Sequence, residues 1–302
     1  MYERRKVLLG LVEAFGGELA RTDCIKLLFL LSQRQGGRCH YDFFPHHYGP
    51  YSHVAIQDKR RLTDQGLLRD VRSFAIAQTS QYLGTLRRAD RLAIGQLRSQ
   101  VGATRGRDLL RRVYLDYPAY CSRSKILDRV LNEDERFEAR AAWNSDRHKC
   151  LFTIGYQGHT VDSFVRCLVD NNIDLIIDVR RNASSMKYGF SKRVLQELLA
   201  SSGVSYVHVP ELGIDNALRK SLESRDSYLA LMQVYRRDML PYLGSELLKI
   251  SRIVDAHRRA AIMCFEFDHE CCHRHVVAEA IAAARDGKLP IVHLSGSLRV
   301  SA

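Results

Sequence analysis

The densest group of side chains that could carry out chemistry lies in one short segment, residues 264–275. Thiols, imidazoles, carboxylates and a guanidinium occur together there, at Cys264, Glu266, Cys271, Cys272, His273, Arg274 and His275. Such a set is compatible with a metal site, with nucleophilic catalysis by a thiolate at a helix N-terminus, or with acid–base catalysis and anion binding. We favour the third interpretation slightly, and keep Cys272 and His273 as the alternative reactive pair.

A metal site is the least favoured of the three interpretations. Cys271 and Cys272 are adjacent and cannot easily both point at one ion, and no second pair of ligands follows at the spacing of a zinc finger or ribbon. Arg274, in the middle of the group, would oppose a cation. We therefore expect neither a metal ion nor another cofactor.

A second group of candidates follows an apolar segment that ends near residue 178. Asp178 and Glu266 are candidate acids, bases or water-positioning groups. The consecutive Arg180 and Arg181 favour an anion site. Asp178 could instead cap the following segment, and Arg180 could pair with a carboxylate.

The segment Gly155-Tyr156-Gln157-Gly158-His159 has the glycines of a tight turn or of a weak phosphate-binding loop. We take Tyr156, Gly158 and His159 as candidate substrate contacts, and Tyr156 or Tyr188 as a ring on which an extruded base could stack. Turn glycines beside a packed aromatic ring would give the same pattern without a ligand.

These segments meet if the second half of the chain is a parallel α/β sheet. Its apolar patterns alternate between strand and helix. The predicted strands are 151–155, 173–179, 205–209, 260–266 and 289–294, and the predicted helices are 160–171, 191–202, several across 215–258, and 273–286. This order is typical of a Rossmann-like, doubly wound, mostly parallel sheet. Because ligands bind at the carboxyl ends of such strands, we expect the loops to form one crevice.

The first half of the chain is predicted to be mainly helical. The predicted elements are a helix over 4–15, a buried helix over Cys24–Leu31, a turn at Gly36-Gly37, a helix over 53–65 and a strand at 67–71. Thr22 and Ser52 are placed to cap the second and third helices. This order is that of a winged-helix-like domain.

Two domains are predicted, 1–147 and 148–302, joined by Asn144-Ser145-Asp146. Residues 1–150 contain 27 basic and 17 acidic residues, a net charge of +10, whereas residues 151–302 contain 19 and 17, a net charge of +2. An arginine-rich half-chain suits phosphate contacts, so we expect a nucleic-acid partner, DNA in preference to RNA, with a protein partner as the alternative. Lys59, Arg60 and Arg61 would contact nucleic acid from the third helix.

The composition excludes several other classes. The 302 residues are 46% hydrophobic and 26% charged, which is ordinary for a globular protein. No apolar run is long enough to cross a membrane, and the N-terminus lacks the pattern of a signal peptide. We expect a cytoplasmic protein without a membrane partner, whose eight cysteines are free thiols, metal ligands or catalytic groups.

The polar segments of the second half together resemble the family called domain of unknown function 488. The residues that carry the resemblance are Thr153–His159, Ile177–Arg180, Tyr206 with Glu211-Leu212-Gly213, Cys264-Phe265-Glu266 and Cys272-His273-Arg274. The resemblance spans about residues 150–295 and implies a Rossmann-like fold with a crevice. The residues that it implies to matter are Tyr156, Gly158, His159, Asp178, Arg180, Glu266, Cys272, His273 and Arg274. It implies no reaction, and the doubled cysteine at 271–272 departs from its usual pattern.

Residues 5–130 resemble a second family, the Panacea domain or SocA-like antitoxin module. The residues that carry the resemblance are Ile25–Leu30, Tyr48–Ser52, Leu62–Leu68 and Tyr114–Pro118. The resemblance implies a helical module that recognises another macromolecule, and does not by itself imply contact with DNA.

These features predict a nucleic-acid-directed hydrolase that acts on DNA, RNA, a modified base or a nucleotide, in defence or repair. Arg180, Arg181 and Arg274 would hold phosphate. The alternative is a non-catalytic, nucleotide-sensing regulator or antitoxin-like module that binds DNA or a protein partner.

Overall fold

The computed structural model describes residues 1–35, 39–78, 81–219 and 222–294, and only the backbone of Asn216. The chain divides into two compact units, Met1–Trp143 (unit 1) and Asn144–Ala302 (unit 2). The predicted turn at Gly36-Gly37 lies outside the described residues. Among those described, no helix combines the length and the apolar character that crossing a bilayer requires.

Unit 1 is mainly helical. Its helices are α1 (Glu3–Ala14), α2 (Arg21–Arg34), α3 (His53–Asp64), α4 (Arg88–Val101), α5 (Gly106–Asp116), α6 (Leu127–Val130) and α7 (Glu133–Ala141). Its short strands are β1 (Glu18–Leu19), β2 (Phe44–His46), β3 (Gly49–Tyr51) and β4 (Phe74–Ala75). In the described part of the unit these strands pair antiparallel, β1 with β4 and β2 with β3.

The core of unit 1 surrounds α2, in which every residue from Asp23 to Ser32 is buried. The apolar pattern of the sequence predicts this central position, because it leaves no polar face for solvent. The predicted cap of α3 is confirmed, since the Ser52 hydroxyl accepts a hydrogen bond from the Ala55 amide at 3.1 Å.

Two predictions for unit 1 are wrong in detail. The helix α2 begins at Arg21 without a side-chain cap, so Thr22 already lies inside its first turn. The strand predicted at 67–71 is reduced to one isolated bridge between Leu68 and Ile76, because β4 pairs with β1 instead.

Unit 2 alternates between strands and helices. Its elements are β5 (Cys150–Gly155), α8 (Val161–Asp170), β6 (Leu175–Asp178), α9 (Lys192–Ser201), β7 (Ser205–His208), α10 (Arg225–Val234), α11 (Gly244–Ala256), β8 (Arg259–Cys264), α12 (His273–Ala283) and β9 (Ile291–Leu294). In the described residues these strands form one parallel sheet in the order β7-β6-β8-β5-β9. The predicted parallel α/β sheet is therefore confirmed.

The segment predicted as a linker belongs to unit 2. The Asn144 side chain donates a hydrogen bond to the Asp170 carbonyl at 2.7 Å. The buried Arg259, at the start of β8, donates to the Asp146 carboxylate and to the His148 carbonyl, both at 2.9 Å. These contacts tie the segment to the amino edge of the sheet, so the boundary falls before Asn144.

The strand order makes two connections diverge between the carboxyl ends of β6 and β8. These two strands are neighbours, but the chain leaves β6 towards β7 at one edge of the sheet and leaves β8 towards β9 at the other. With right-handed crossovers, the two connections cover opposite faces of the sheet. Open α/β sheets bind ligands at such a point of divergence.

Candidate functional site

The loop between β8 and α12 carries most of the site. The strand β8 is buried along its whole length and ends at Cys264, and α12 begins at His273 with Cys272 as its N-cap residue. The end of β5 packs directly on this loop, because a Cβ atom on Gly155 would lie 1.7 Å from the carbonyl oxygen of Glu266. Only glycine permits this approach.

Two thiols and an imidazole from the two ends of the β8–α12 loop lie close together. The ligand atoms of Cys264, Cys272 and His273 all lie within 4.8 Å of one another, and all three residues are buried. The Sγ atom of Cys264 is 3.7 Å from Oε2 of Glu266 and 4.0 Å from Nδ1 of His273. The Nε2 atom of His273 lies 3.0 Å from the carbonyl oxygen of Val179, so this ring joins the ends of β8 and β6.

Arg219 completes this cluster and was missed by the sequence analysis. It lies at the end of a 3₁₀ turn, Asn216–Arg219, in the connection that follows β7. Its NH1 atom donates to Oε1 of Glu266 and its NH2 atom to Nδ1 of His273, each at 3.1 Å. One arginine in a long connection carries no pattern that could have marked it. Only the folded chain shows where its guanidinium lies.

Burial alters the protonation of the cluster. It raises the pKa of Glu266 to about 7, the neighbouring Cys272 adds to the rise, and Arg219 opposes it. Burial also raises the pKa of the Cys272 thiol, with Cys264 as a further cause. A thiol with a raised pKa is a poor nucleophile at neutral pH, so the environment of Cys272 does not favour direct attack by its sulfur.

Asp178 and Arg180 form an ion pair at the end of β6. The Nε atom of Arg180 donates to Oδ1 of Asp178 at 2.9 Å, and its NH2 atom donates to Oδ2 at 2.6 Å. The Tyr206 hydroxyl also donates to Oδ2 at 2.6 Å, and NH1 of Arg180 donates to the Phe190 carbonyl at 2.9 Å. This arrangement favours a structural role for both residues over the predicted acid–base and phosphate contacts.

Arg274 is fully buried and holds the β8–α12 loop. Its NH1 atom donates to the Glu266 carbonyl at 2.6 Å, and its NH2 atom donates to the Phe267 carbonyl at 3.0 Å. The guanidinium therefore positions the backbone that carries the Glu266 side chain. This geometry favours a positioning role over the predicted contact with phosphate.

The predicted aromatic contacts separate into a buried ring and an exposed one. Tyr156 is buried, stacks on Phe190 with ring centres 4.4 Å apart, and meets the edge of Phe265 at 5.1 Å. Tyr188 is exposed. The stack occupies one face of Tyr156, so Tyr188 is the better placed of the two to receive a base.

The other predicted contacts lie around the same edge of the sheet. Gly158 is exposed and has a φ of 82°, as a tight turn requires. His159 is buried, with its Nδ1 atom 3.1 Å from the Ser163 hydroxyl oxygen. Arg181 is exposed, and its NH1 atom lies 3.5 Å from the Pro210 carbonyl. Arg181 is therefore the predicted phosphate contact that solvent reaches most freely.

The basic residues predicted to contact nucleic acid lie on α3 of unit 1. Lys59 is half-buried, donates to the Val71 carbonyl and lies over the Phe74 ring at 5.5 Å. Arg60 and Arg61 are exposed. These two arginines are the ones on α3 that present their side chains to solvent.

Comparison with known families supports one of the two resemblances. Residues 160–281 match the family model described as Domain of unknown function DUF488. The match runs from the N-cap of α8 into α12 and so includes the ends of β6 and β8. No curated protein and no solved structure matches the chain. The resemblance of residues 5–130 to the Panacea domain stays a prediction.

Proposed function

We propose that unit 2 is a hydrolase that acts on a nucleotide or on a base in nucleic acid, with the crevice between β6 and β8 as its active site. The observation that carries the proposal is the pair formed by Glu266 and Arg219, 3.1 Å apart, at the point where the strand connections diverge. A carboxylate beside a guanidinium can move a proton and stabilise negative charge at the same place.

Both members of this pair remain within reach of a substrate. The Glu266 side chain is 10% exposed and the Arg219 side chain is 24% exposed, whereas Cys272, His273 and Arg274 are fully buried behind them. Glu266 would take a proton from the attacking water and return it to the leaving group. Arg219 would stabilise the charge that develops on the substrate.

The surroundings of the crevice suit a substrate with phosphates and bases. Arg181 and Lys187 are exposed cations in the loop that follows β6. Tyr188 and Phe265 are exposed aromatic residues, in the loops that follow β6 and β8. Cations beside aromatic rings are the combination that holds phosphates and stacks bases.

The recognition of nucleic acid is proposed for unit 1. The supporting observations are the net charge of unit 1, which has 25 basic and 16 acidic residues over 1–143 and so a net charge of +9, and the exposed Arg60 and Arg61 on α3. A winged-helix-like or Panacea-like role for this unit belongs to the same proposal, as do the preference for DNA and a role in defence or repair. We expect the double variant R60A/R61A to weaken DNA binding. We also expect it to lower the slope of log affinity against log salt concentration by about 2. If the affinity of the wild-type protein for DNA does not change with salt concentration, a protein partner is favoured.

The test of the proposal compares two carboxylates of one loop. Glu270 is exposed and pairs with Arg225, so Glu270→Gln is the matched control for Glu266→Gln. Wild type and both variants are incubated with nucleotides and with single- and double-stranded DNA and RNA, and the products are separated by mass. We expect Glu266→Gln to lower turnover by about 10²–10⁴-fold while Glu270→Gln changes little. Full turnover by Glu266→Gln would overturn the assignment.

One observation favours the second candidate, a non-catalytic nucleotide sensor. The guanidinium groups of Arg180 and Arg274 both donate to acceptors inside the protein, which leaves fewer cations for a reacting phosphate. A sensor would bind a nucleotide in the crevice without converting it. Binding by the wild type without turnover of any substrate in the panel would replace the hydrolase by this candidate.

A further inference from the structure

We propose that Cys264, Cys272 and His273 bind a zinc ion whose fourth coordination position opens towards Glu266. The inference deepens the proposed function, on which it rests, by naming the group that would activate water beside Glu266. Two thiols and an imidazole form a donor set that zinc prefers, and three protein ligands with one open position are typical of a catalytic zinc site.

The spacing of the donor atoms fits one small ion. With zinc bonds of about 2.3 Å to sulfur and about 2.0–2.1 Å to nitrogen, a tetrahedral site sets neighbouring donors roughly 3.5–3.8 Å apart. The Sγ atom of Cys264 lies 4.0 Å from Nδ1 of His273, and no two donor atoms of the three residues are more than 4.8 Å apart. A contraction of at most about 1.3 Å would bring them into contact with one ion.

The histidine is held as a ligand would be. A metal-binding imidazole donates its other N–H group to a carbonyl or a carboxylate, which fixes the ring and its tautomer. The Nε2 atom of His273 lies 3.0 Å from the Val179 carbonyl and donates to it, so Nδ1 is the ring nitrogen that carries the lone pair. The Sγ atom of Cys264 lies 4.0 Å from this Nδ1 atom and 3.9 Å from Nε2.

The structure removes the reasons for which the sequence disfavours a metal. The Sγ atom of Cys271 lies 3.5 Å from Oδ2 of Asp268, so the adjacent thiols have different partners. The second thiol comes instead from Cys264, at the end of β8. The guanidinium of Arg274 is engaged by backbone carbonyls of the loop.

Arg219 provides the competing explanation of the cluster. Its NH2 atom donates to the Nδ1 lone pair that a metal would use. Zinc binding would replace this contact, while NH1 could keep its bond to Glu266. If Arg219 is instead the permanent cation of the cluster, the protein will bind no metal here, and the experiment below distinguishes the two cases.

The ion would acidify a water molecule in its open position. The water gives one proton to Glu266, and its oxygen forms a bond to the electrophilic atom of the substrate. The bond from that atom to the leaving group breaks, the electron pair goes to the leaving group, and Glu266 returns the proton there. No oxidant or reductant is required.

The test is the metal content of the full-length protein and of three variants. We expect about one zinc per chain in the wild type, a loss of tenfold or more in Cys272→Ser and Cys264→Ser, and no loss in Cys271→Ser, the matched control from the adjacent position. Cobalt(II) replacement gives a second readout, because thiolate ligation produces a charge-transfer band and a tetrahedral site produces intense visible bands.

The possible outcomes separate this inference from the proposed function. A wild-type protein that takes up neither zinc nor cobalt overturns the metal site, even if the cysteine variants fail to fold. Equal metal loss from Cys271→Ser and Cys272→Ser overturns the assigned ligands. Metal content is measured without substrate, so a zinc-loaded wild-type protein that turns over no substrate in the panel would contradict only the proposed function.

Discussion

The ends of β6 and β8 each present a carboxylate paired with an arginine, but the two pairs are built differently. Asp178 is fully buried, and its partner Arg180 lies two residues away along the chain and is also buried. Glu266 keeps some exposure, and its partner Arg219 comes from a separate connection. The two residues of the first pair bond to each other and hold the loop that follows β6. The second leaves a carboxylate beside thiols, an imidazole and solvent.

Residue type alone does not assign function at a strand end. The sequence marks both carboxylates as candidate acids or bases. Asp178 accepts hydrogen bonds from Arg180 and Tyr206, so its charge is compensated inside the protein. Glu266 shares Arg219 with His273, so its partner also contacts the rest of the cluster.

The largest expected effect is on the stability of unit 2. Asp178→Asn removes the charge that compensates the buried Arg180, and the loss of one member of a buried pair typically costs about 3–5 kcal/mol. The single tryptophan, Trp143, lies in unit 1, so its fluorescence does not report on unit 2. Hydrogen exchange of peptides from β6 and β8 measures the loss instead. A loss below 1 kcal/mol would show that the pair does not hold the loop.

A smaller effect is expected at Gly155, where a Cβ atom would clash with the Glu266 backbone. We expect Gly155→Ala to displace the β8–α12 loop and to cost about 1–3 kcal/mol. Faster hydrogen exchange should appear in that loop before it appears in the loop after β6. Gly244→Ala is the control, since a Cβ atom there meets nothing within 4 Å. Equal effects of the two variants would contradict the close approach.

The smallest effect is expected for Tyr206→Phe, which removes one donor from Asp178 but leaves Arg180 in place. We expect a cost of about 0.5–1.5 kcal/mol, because one hydrogen bond is lost and the charged group that accepted it keeps its other partners. Tyr242→Phe, at a tyrosine that is 86% exposed, should change nothing measurable. A Tyr206→Phe variant as damaged as Asp178→Asn would place the main support of Asp178 in the tyrosine.

The elements of unit 2 could be predicted from the sequence because buried parallel strands are continuous apolar runs. Segments such as Leu175–Ile177 and Ala260–Met263 have this pattern, and the loops after them follow from it. The short strands of unit 1 could not be predicted in the same way. Residues 67–71 are predicted to form a strand, but the partner of β1 is β4, which the sequence does not show.

The residues of the site could be predicted from the sequence, but the partners of these residues could not. The segment 264–275 was identified because its polar residues follow a buried strand. Spacing along the chain does not show that Cys264, rather than Cys271, lies beside Cys272. Nor does it show that Arg219 reaches Glu266 from the connection after β7. These contacts depend on how side chains point across the sheet.

The most direct test of the contrast between the two pairs needs no substrate. It is the stability of unit 2 in Glu266→Gln, measured by hydrogen exchange of the β6 and β8 peptides. Groups that serve function are commonly kept at some cost in stability. We therefore predict a change within about 0.5 kcal/mol of wild type, or a gain. A loss as large as that of Asp178→Asn would show that both pairs are structural and would contradict the account.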